Sequence, residues 1–426
     1  MTQDANPQTA WSPILEGEAA ERAAEAVAAV AGAIGEGPLA GRHATPGLAA
    51  GEAGAALLFE YLDRARPGTG YGDVAVRRIE RAGEGVAAGL REPSLYGGFT
   101  GVSWVLEHLQ GGPSEEDDED LNEEIDAALL AYLRQTPWPF HYDLTGGLVG
   151  FGVYALERLP RPSAVACLEQ VVERLAEMSE PRPGGGLAWF TPLRLVPEPN
   201  RPWYPQGYEN LGMAHGLPGV VAVLARTCAA GVAVERARPL LEGAVSWLLA
   251  QKLPPSERSV FPYAVGPEVK IRPARTAWCY GDGGIALALL AAGRAAGRAD
   301  WEREALDLAR TVARRPVESC GVEDAGLCHG AAGLGHLLNR LHQATGDPEL
   351  REAARAWLGR ALGYREPGRG IGGFLSYTPP PDDPDQLVWN EDPGFLTGSS
   401  GIALALLAGI SAVAPDWDRV LLVSGT

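Results

Sequence analysis

The sequence predicts an all-α fold, an α/α toroid of seven inner and seven outer helices with short β-hairpin inserts near its mouth. Three observations predict it. A Gly-x-x-Gly step opens an apolar run of helical character seven times, the steps recur at intervals that fit a helix pair, and the three longest intervals carry extra strand and turn material. A motif that returns at such spacing marks a repeat architecture.

The openings are AAGEAGAALL at Ala49, YGGFTGVSWVL at Tyr96, TGGLVGFGVYAL at Thr145, AHGLPGVVAVL at Ala214, CYGDGGIALAL at Cys279, CHGAAGLGHLL at Cys328 and LTGSSGIALAL at Leu396. Their first glycines (Gly51, Gly98, Gly147, Gly216, Gly281, Gly330 and Gly398) are 47, 49, 69, 65, 49 and 68 residues apart. Each interval has room for an inner helix, a return helix and connections. Glycine inside a helix costs up to about 1 kcal/mol against alanine, so a repeated pair needs a reason. Glycines three apart share a helix face, and are expected here to let neighbouring inner helices crowd a common axis. A closed ring demands that crowding, and it removes the exposed ends that a linear stack must cap.

The long intervals hold GGLAWFTP (Gly185 to Pro192) before the fourth opening, the looser RSVFPYAVGP (Arg258 to Pro267) before the fifth, and GGFLSYTP (Gly372 to Pro379) before the seventh. Glycine, aromatic and Thr-Pro at matched places predict a short strand or hairpin followed by a turn. All three lie upstream of an opening, so they are expected at one end of the ring as a cleft wall.

Residues 18–426 are expected to form a single domain, preceded by a flexible tail at residues 1–17. A chain of this size buries about three quarters of its unfolded surface, ample for one core. With 54 acidic against 36 basic residues the net charge is −18, which opposes phosphate backbones and anionic lipid heads and argues against a nucleic-acid partner. The acidic run EEDDEDLNEE (Glu115 to Glu124) reads as a solvated loop, with attraction of a cationic ligand as the alternative. No segment has the 18 or so apolar residues of a transmembrane span, and the N-terminus lacks the basic and apolar regions of a signal peptide. A cytoplasmic location is expected.

Five cysteines, an odd number, point to thiols rather than a disulfide framework. Cys167 and Cys228 lie in apolar helical contexts and read as core fillers, and Cys320 reads as structural. Cys279, Cys328 and His329 differ by their phase in the repeat. Both cysteines stand two residues before the first glycine of successive openings, and His329 stands one before. In a ring the same phase means the same height, so the three are expected to meet at the mouth. Two thiolates and an imidazole suit zinc and leave its fourth tetrahedral place open; the alternative is a pair of buried thiols beside a structural histidine. His215 occupies the corresponding position in the preceding opening, Asp143 stands four before Gly147, and Arg275 stands four before Cys279. All three are expected on the same rim, His215 placed to move a proton. His43, His108, His141, His336 and His342 have no comparable phase and read as structural or solvated. Because metal coordination deprotonates a thiol, a sulfur-rich metal set favours activation of a substrate thiol over hydrolysis.

TAWCYGDGGIALALL (Thr276 to Leu290), LCHGAAGLGHLL (Leu327 to Leu338), AHGLPGV (Ala214 to Val220) and the Asp143 segment resemble the signature blocks of the lanthionine synthetase C (LanC) cyclases, and the likeness runs through all seven openings. The resemblance implies a seven-fold α/α toroid with one zinc ion held by Cys279, Cys328 and His329. It implies a cyclase that adds peptide cysteines to dehydroalanine or dehydrobutyrine, giving lanthionine and methyllanthionine thioether rings. His215 and Asp143 take acid/base or orienting roles in this likeness, and Arg275 supports them. Its implied partners are a dehydrated lanthipeptide precursor, a separate dehydratase and a membrane transporter complex, since repeats fill the chain and leave no room for an attached dehydratase, lyase or kinase domain. Two alternatives remain. A non-cyclising LanC-like zinc protein would bind peptide or glutathione thiols. A zinc protein prenyltransferase would need an Asp-x-Cys pair, which is missing around Cys279 and Cys328.

Overall fold

The computed structural model describes residues 11–111, 120–379 and 386–424. Fourteen α-helices lie among them and alternate between two concentric layers. The outer layer is α1 (Gly17–Ile34), α3 (Tyr71–Ala87), α5 (Glu123–Leu133), α7 (Pro162–Met178), α9 (Val234–Leu249), α11 (Ala299–Arg314) and α13 (Pro348–Gly363). The inner layer is α2 (Glu52–Ala65), α4 (Phe99–Gln110), α6 (Leu148–Glu157), α8 (Leu217–Ala229), α10 (Asp282–Ala296), α12 (Ala331–Thr345) and α14 (Ser399–Ile410). Each inner helix packs on the next, and α14 packs back on α2, so the ring is closed.

Apolar spacing explains the layers. In α11 the buried residues are Trp301, Ala305, Leu308, Ala309 and Val312, a single stripe at helical period, with charged residues on the other face. The inner helices are buried on every side; in α14 the whole stretch from Ser399 to Gly409 is covered.

No inner helix has a side-chain cap at its start. Instead, in five of the seven openings the approach loop folds back across the helix start and satisfies free N–H groups with its carbonyls. The N–H of Glu52 donates to Thr45, Phe99 to Glu92, Ala331 to Asp324 and Ser399 to Asp392, at 2.8–2.9 Å and always seven residues upstream. This crossing explains the paired glycines. A Cβ on the second glycine of each step would collide with the carbonyl oxygen six residues upstream, and even at the loosest, Gly284, it would lie 2.7 Å from the Trp278 oxygen. The close neighbour is first of all the helix's own approach loop, rather than the adjacent inner helix expected from the sequence.

The loops are tied to one another by a belt of backbone hydrogen bonds. Ala49 N–H donates to Tyr96 O (2.9 Å), Leu144 to Ala214 (3.2 Å), Ala214 to Cys279 (3.3 Å), Cys279 to Cys328 (3.3 Å), Cys328 to Leu396 (2.7 Å) and Leu396 to Ala49 (3.0 Å). The belt fixes the height of the residue two before the first glycine in six openings, and of Leu144, three before Gly147, in the third.

The inserts form two small antiparallel sheets. The first is β1 (Ser179–Arg182), β2 (Gly186–Thr191), β3 (Tyr208–Asn210) and β4 (Ala264–Val265), in that order. The GGLAWFTP and RSVFPYAVGP segments therefore share one sheet. The GGFLSYTP segment supplies β5 (Ser376–Thr378), paired with β6 (Val388–Asn390).

Three features depart from the sequence reading. Residues 11–16 are not a frayed tail: Trp11, Ile14 and Leu15 are buried, Trp11 Nε1 donates to Ala408 O at 2.9 Å, and Ile14 and Leu15 both donate to Gly409 O at 2.9 Å. Of the acidic run, Glu115 to Glu119 lies outside the described residues; Asp120 is not simply solvated but pairs with the fully buried Arg158 at 2.7 Å. Finally, the ring's interior is filled by the chain's own C-terminal segment. Trp417, Val420, Leu421, Leu422 and Val423 are buried there. Tyr96 Oη donates to Val420 O and Trp278 Nε1 to Leu421 O, both at 2.9 Å, Arg226 donates to Ser424 O, and Asp418 accepts from His336 (2.6 Å) and Arg340 (2.5 Å). These partners belong to four different inner helices or their approach loops, so the segment lies along the axis.

Candidate metal centre and acid/base pair

The belt places Cys279 and Cys328 on adjacent approach loops at one height. Their Sγ atoms and a ring nitrogen of His329 lie within 4.8 Å of one another, a set of donors that could hold a metal ion. A tetrahedral zinc with bonds of about 2.3 Å to sulfur and 2.0 Å to nitrogen holds such donors roughly 3.5–3.8 Å apart, so the three residues fit the ion with small side-chain movements. Cys279 is buried; Cys328 and His329 are partly exposed, which leaves one side of the set open to a ligand. A hydrogen bond from the Cys328 thiol, then His329 and the charge of Arg275, hold Cys279 well below the ordinary thiol range against its burial. Cys328 is correspondingly pushed up by the neighbouring Cys279 sulfur and by burial. A cation between them would relieve both.

His215 lies on the next approach loop, tied to Cys279 through the Ala214–Cys279 backbone bond. Its Nδ1–H donates to Asp143 Oδ2 at 2.8 Å, which leaves Nε2 for a substrate. Asp143 is buried and firmly held: its Oδ1 accepts from Gly146 N–H at 2.9 Å and its Oδ2 from the Thr145 hydroxyl at 3.0 Å. Burial pushes the His215 imidazole down, but the hydrogen bond and charge of Asp143, with the Cys279 sulfur behind it, outweigh that and leave His215 above its ordinary value. Asp143 is likewise lowered overall, because His215 and the Gly146 N–H outweigh its burial. In this pair the carboxylate favours the protonated imidazole and the imidazole favours the ionised carboxylate.

Arg275 completes the rim. Its Nε is buried without a hydrogen-bond partner, and the nearby Cys279, Tyr263 and Cys328 outweigh burial to hold it cationic. All six residues expected at the mouth are thus brought together.

The structure adds Tyr280 and Asn210. The Tyr280 ring lies 6.1 Å from that of His215, and Asn210 Nδ2 donates to Tyr280 Oη at 2.9 Å. Tyr280 was legible only as the residue between Cys279 and Gly281. Asn210 stands six before Gly216, where Asp324 and Asp392 stand in their own repeats, each closing a turn onto the N–H two residues on. Arg275 stands at the same phase, six before Gly281, and breaks that pattern.

The other cysteines take no part. Cys167 is buried in α7 with its thiol pushed up to about 12 by burial, Cys228 is half-buried in α8, and Cys320 is buried with its thiol donating to Pro316 O at 3.4 Å. Of the remaining histidines, His108 bridges Tyr61 and Glu157 at 2.8 Å each, and His336 is buried against Asp418.

The family model described as lanthionine synthetase C-like protein matches residues 44–422, which spans the belt, the donors and His215. The chain belongs to that family. Among known relatives, the LanC-like chain is 26% identical over 268 residues to the nisin biosynthesis protein NisC of Lactococcus lactis subsp. lactis, covering 58% of this chain and 61% of that one. The match thus spans about three fifths of the relative's length. It is also 29% identical over 148 residues to the protein named glutathione S-transferase LANCL1 of Danio rerio, about a third of each chain. Among solved structures it is similar to nisin cyclase, with a TM-score of 0.73 and 21% identity over 90% of this chain and 93% of that one. That likeness establishes the toroid fold. No described helix is long and apolar enough to cross a membrane.

Proposed function

We propose that this chain is a zinc-dependent lanthipeptide cyclase, closing thioether rings in a dehydrated peptide supplied by a separate dehydratase in the cytoplasm, with a membrane transporter complex as a further partner. One observation carries the reading: an open Cys279, Cys328 and His329 donor set beside an Asp143-held His215. Family membership and the match to NisC support it.

When bound, a single zinc ion would supply a positive centre that lowers the pKa of a substrate thiol. The chain's residues do the rest. Cys279 and Cys328 give the centre two anionic sulfurs, which keep a third sulfur electron-rich and nucleophilic. A peptide cysteine Sγ bonds to the β-carbon of the dehydro residue as the carbon–carbon π bond breaks. The electron pair moves to the α-carbon and its carbonyl oxygen, and the positive charge of Arg275 on the same rim favours that developing charge. His215 then gives the α-carbon a proton from Nε2, and the proton lost by the thiol restores it. Asp143 keeps the imidazole in the required tautomer and orientation. Atoms balance: the product is an isomer of the substrate.

A second reading has one support, the match to the glutathione S-transferase LANCL1. In it the thiol is free glutathione and no ring is closed. Incubation with a dehydrated peptide carrying free cysteines separates the two. A cyclase removes alkylatable thiols with no change in peptide mass; persistent thiols, with adducts formed only when glutathione is added, would establish the second reading in its place.

A further inference from the structure

The metal centre shares a wall with a cavity of about 610 Å³, whose lining includes Trp203, Tyr204, Arg258, Tyr263, Arg272 and Arg275. Tyr208 and Tyr280 also line it. It is assembled from three separate places: the segment leading into β3, the insert carrying β4, and the approach loop of α10. Asp282, in the first turn of α10, pins the middle piece by accepting from Val260 and Phe261 N–H at 2.9 and 3.1 Å.

Two properties set the cavity apart. First, it is cationic in a chain of net charge −18. Its lining holds three arginines and no carboxylate, and among the described residues none of the three forms an ion pair. Arg258 donates only to Pro273 O at 3.3 Å, the guanidinium of Arg272 lies 4.4 Å over the Trp203 ring, and Arg275 Nε has no partner. Second, its aromatic rings form two pairs, bridged by Asn210 between Tyr208 and Tyr280, that lead to the acid/base pair. Tyr204 stacks on Tyr208 at 4.0 Å, Tyr263 lies 5.2 Å from Tyr280, and Tyr280 lies 6.1 Å from His215. Trp203 is 52% exposed and marks the outer end.

A planar arginine fork held against an aromatic face, as Arg272 is on Trp203, matches a carboxylate in geometry and charge. We propose that this cavity is a subsite for a carboxylate of the peptide substrate, selecting peptides with an acidic group near the reacting cysteine, with Arg272 and Arg258 as its specificity-determining residues. This rests on the peptide-cyclase reading for the identity of the ligand. Attachment of that carboxylate would hold the peptide backbone along the aromatic path toward Tyr280, from which the metal donors are one residue away in the chain.

Binding of hexapeptides carrying an uncharged fluorophore to the zinc-loaded protein tests this without any chemistry, the first two as C-terminal amides. One peptide carries a central Glu, one a Gln in its place, and a third carries Gln with a free C-terminal carboxylate; none contains Cys, Ser or Thr. The Glu peptide should bind about tenfold tighter than its Gln counterpart, the scale of one partly exposed charge-assisted contact. Arg272→Gln and Arg258→Gln should each remove most of that difference, and Arg272→Lys should restore part of it. Tight binding of the third peptide alone would assign the same subsite to a chain terminus rather than a side chain. Equal binding of all three peptides, or a Glu preference that survives in the Arg258→Gln, Arg272→Gln double variant, overturns the proposal. Circular dichroism of each variant should match the parent, so that a lost preference reports the subsite and not the fold. A parent protein that cyclises no dehydrated peptide, yet shows a Glu preference that the double variant loses, would count against the cyclase reading and leave the subsite standing.

Discussion

Replacing Asp143 with asparagine keeps the shape of the acid/base pair and reverses its hydrogen-bond logic. Asp143 accepts at both oxygens, Oδ1 from Gly146 N–H and Oδ2 from His215 Nδ1–H and Thr145. Asn has one acceptor. If its oxygen stays with the fixed Gly146 amide, its NH2 group faces His215 Nδ1, which must then accept, so the proton-donating form is lost at that nitrogen. A net charge-assisted hydrogen bond contributes about 1.5–3 kcal/mol. The His215 side chain is 42% exposed, so solvent screening places the effect at the low end, about one pH unit. Asp143 holds His215 above its ordinary value, so in the parent activity should fall as pH rises through that raised value. In Asp143→Asn that alkaline limb should move down by about one unit, with roughly tenfold less cyclisation on the alkaline side. Single-turnover thiol loss across pH 5.5–9, with zinc content measured in parallel, reads this out. An unshifted alkaline limb with full zinc would refute the role of the pair, and loss of zinc would mean that Asp143 supports the metal donors instead.

Cys279→Ala and Cys328→Ala should each abolish stoichiometric zinc, measured by metal analysis, while circular dichroism stays unchanged because the belt at these positions uses backbone atoms. Gly219→Ala should destabilise by about 2–4 kcal/mol, since its Cβ would lie 2.6 Å from the Met213 oxygen, whereas Gly32→Ala, in open space within α1, should stabilise by up to about 1 kcal/mol; denaturant unfolding compares them. His336 is held below its ordinary 6.5 by burial, only partly offset by Asp418. Below pH 6.5 the unfolded chain therefore takes up a proton that the native imidazole refuses, and stability falls as pH drops. Thermal unfolding should lose Tm between pH 6.5 and 5, and His336→Gln should flatten that part of the curve.

The sequence made the repeat legible because one steric requirement recurs: an approach loop crossing a helix start leaves no space for a Cβ. The phase of Cys279, Cys328, His329 and His215 against those glycines was then enough to bring them to one rim, since the belt fixes the height of each opening. The reason for the glycines was not legible, because spacing cannot tell a loop's own carbonyl from a neighbouring helix. Nor was the axial segment around Trp417, which is short and has no period; its burial comes from the ring around it. Trp11, Ile14 and Leu15 were lost for the same reason. The arginine and aromatic cavity draws on residues from Asn200 to Tyr280 in three pieces, and no local pattern joins Trp203 to Arg272.

A zinc held by Cys279, Cys328 and His329, with its open place taken by the substrate's thiol, is the point on which the proposed function turns. X-ray absorption at the zinc edge counts sulfur neighbours directly. Two sulfurs are expected in the free protein and three after addition of a cysteine-containing dehydrated peptide under conditions that stall turnover, such as His215→Ala. A zinc with two sulfurs both before and after a peptide shown to be bound would contradict it.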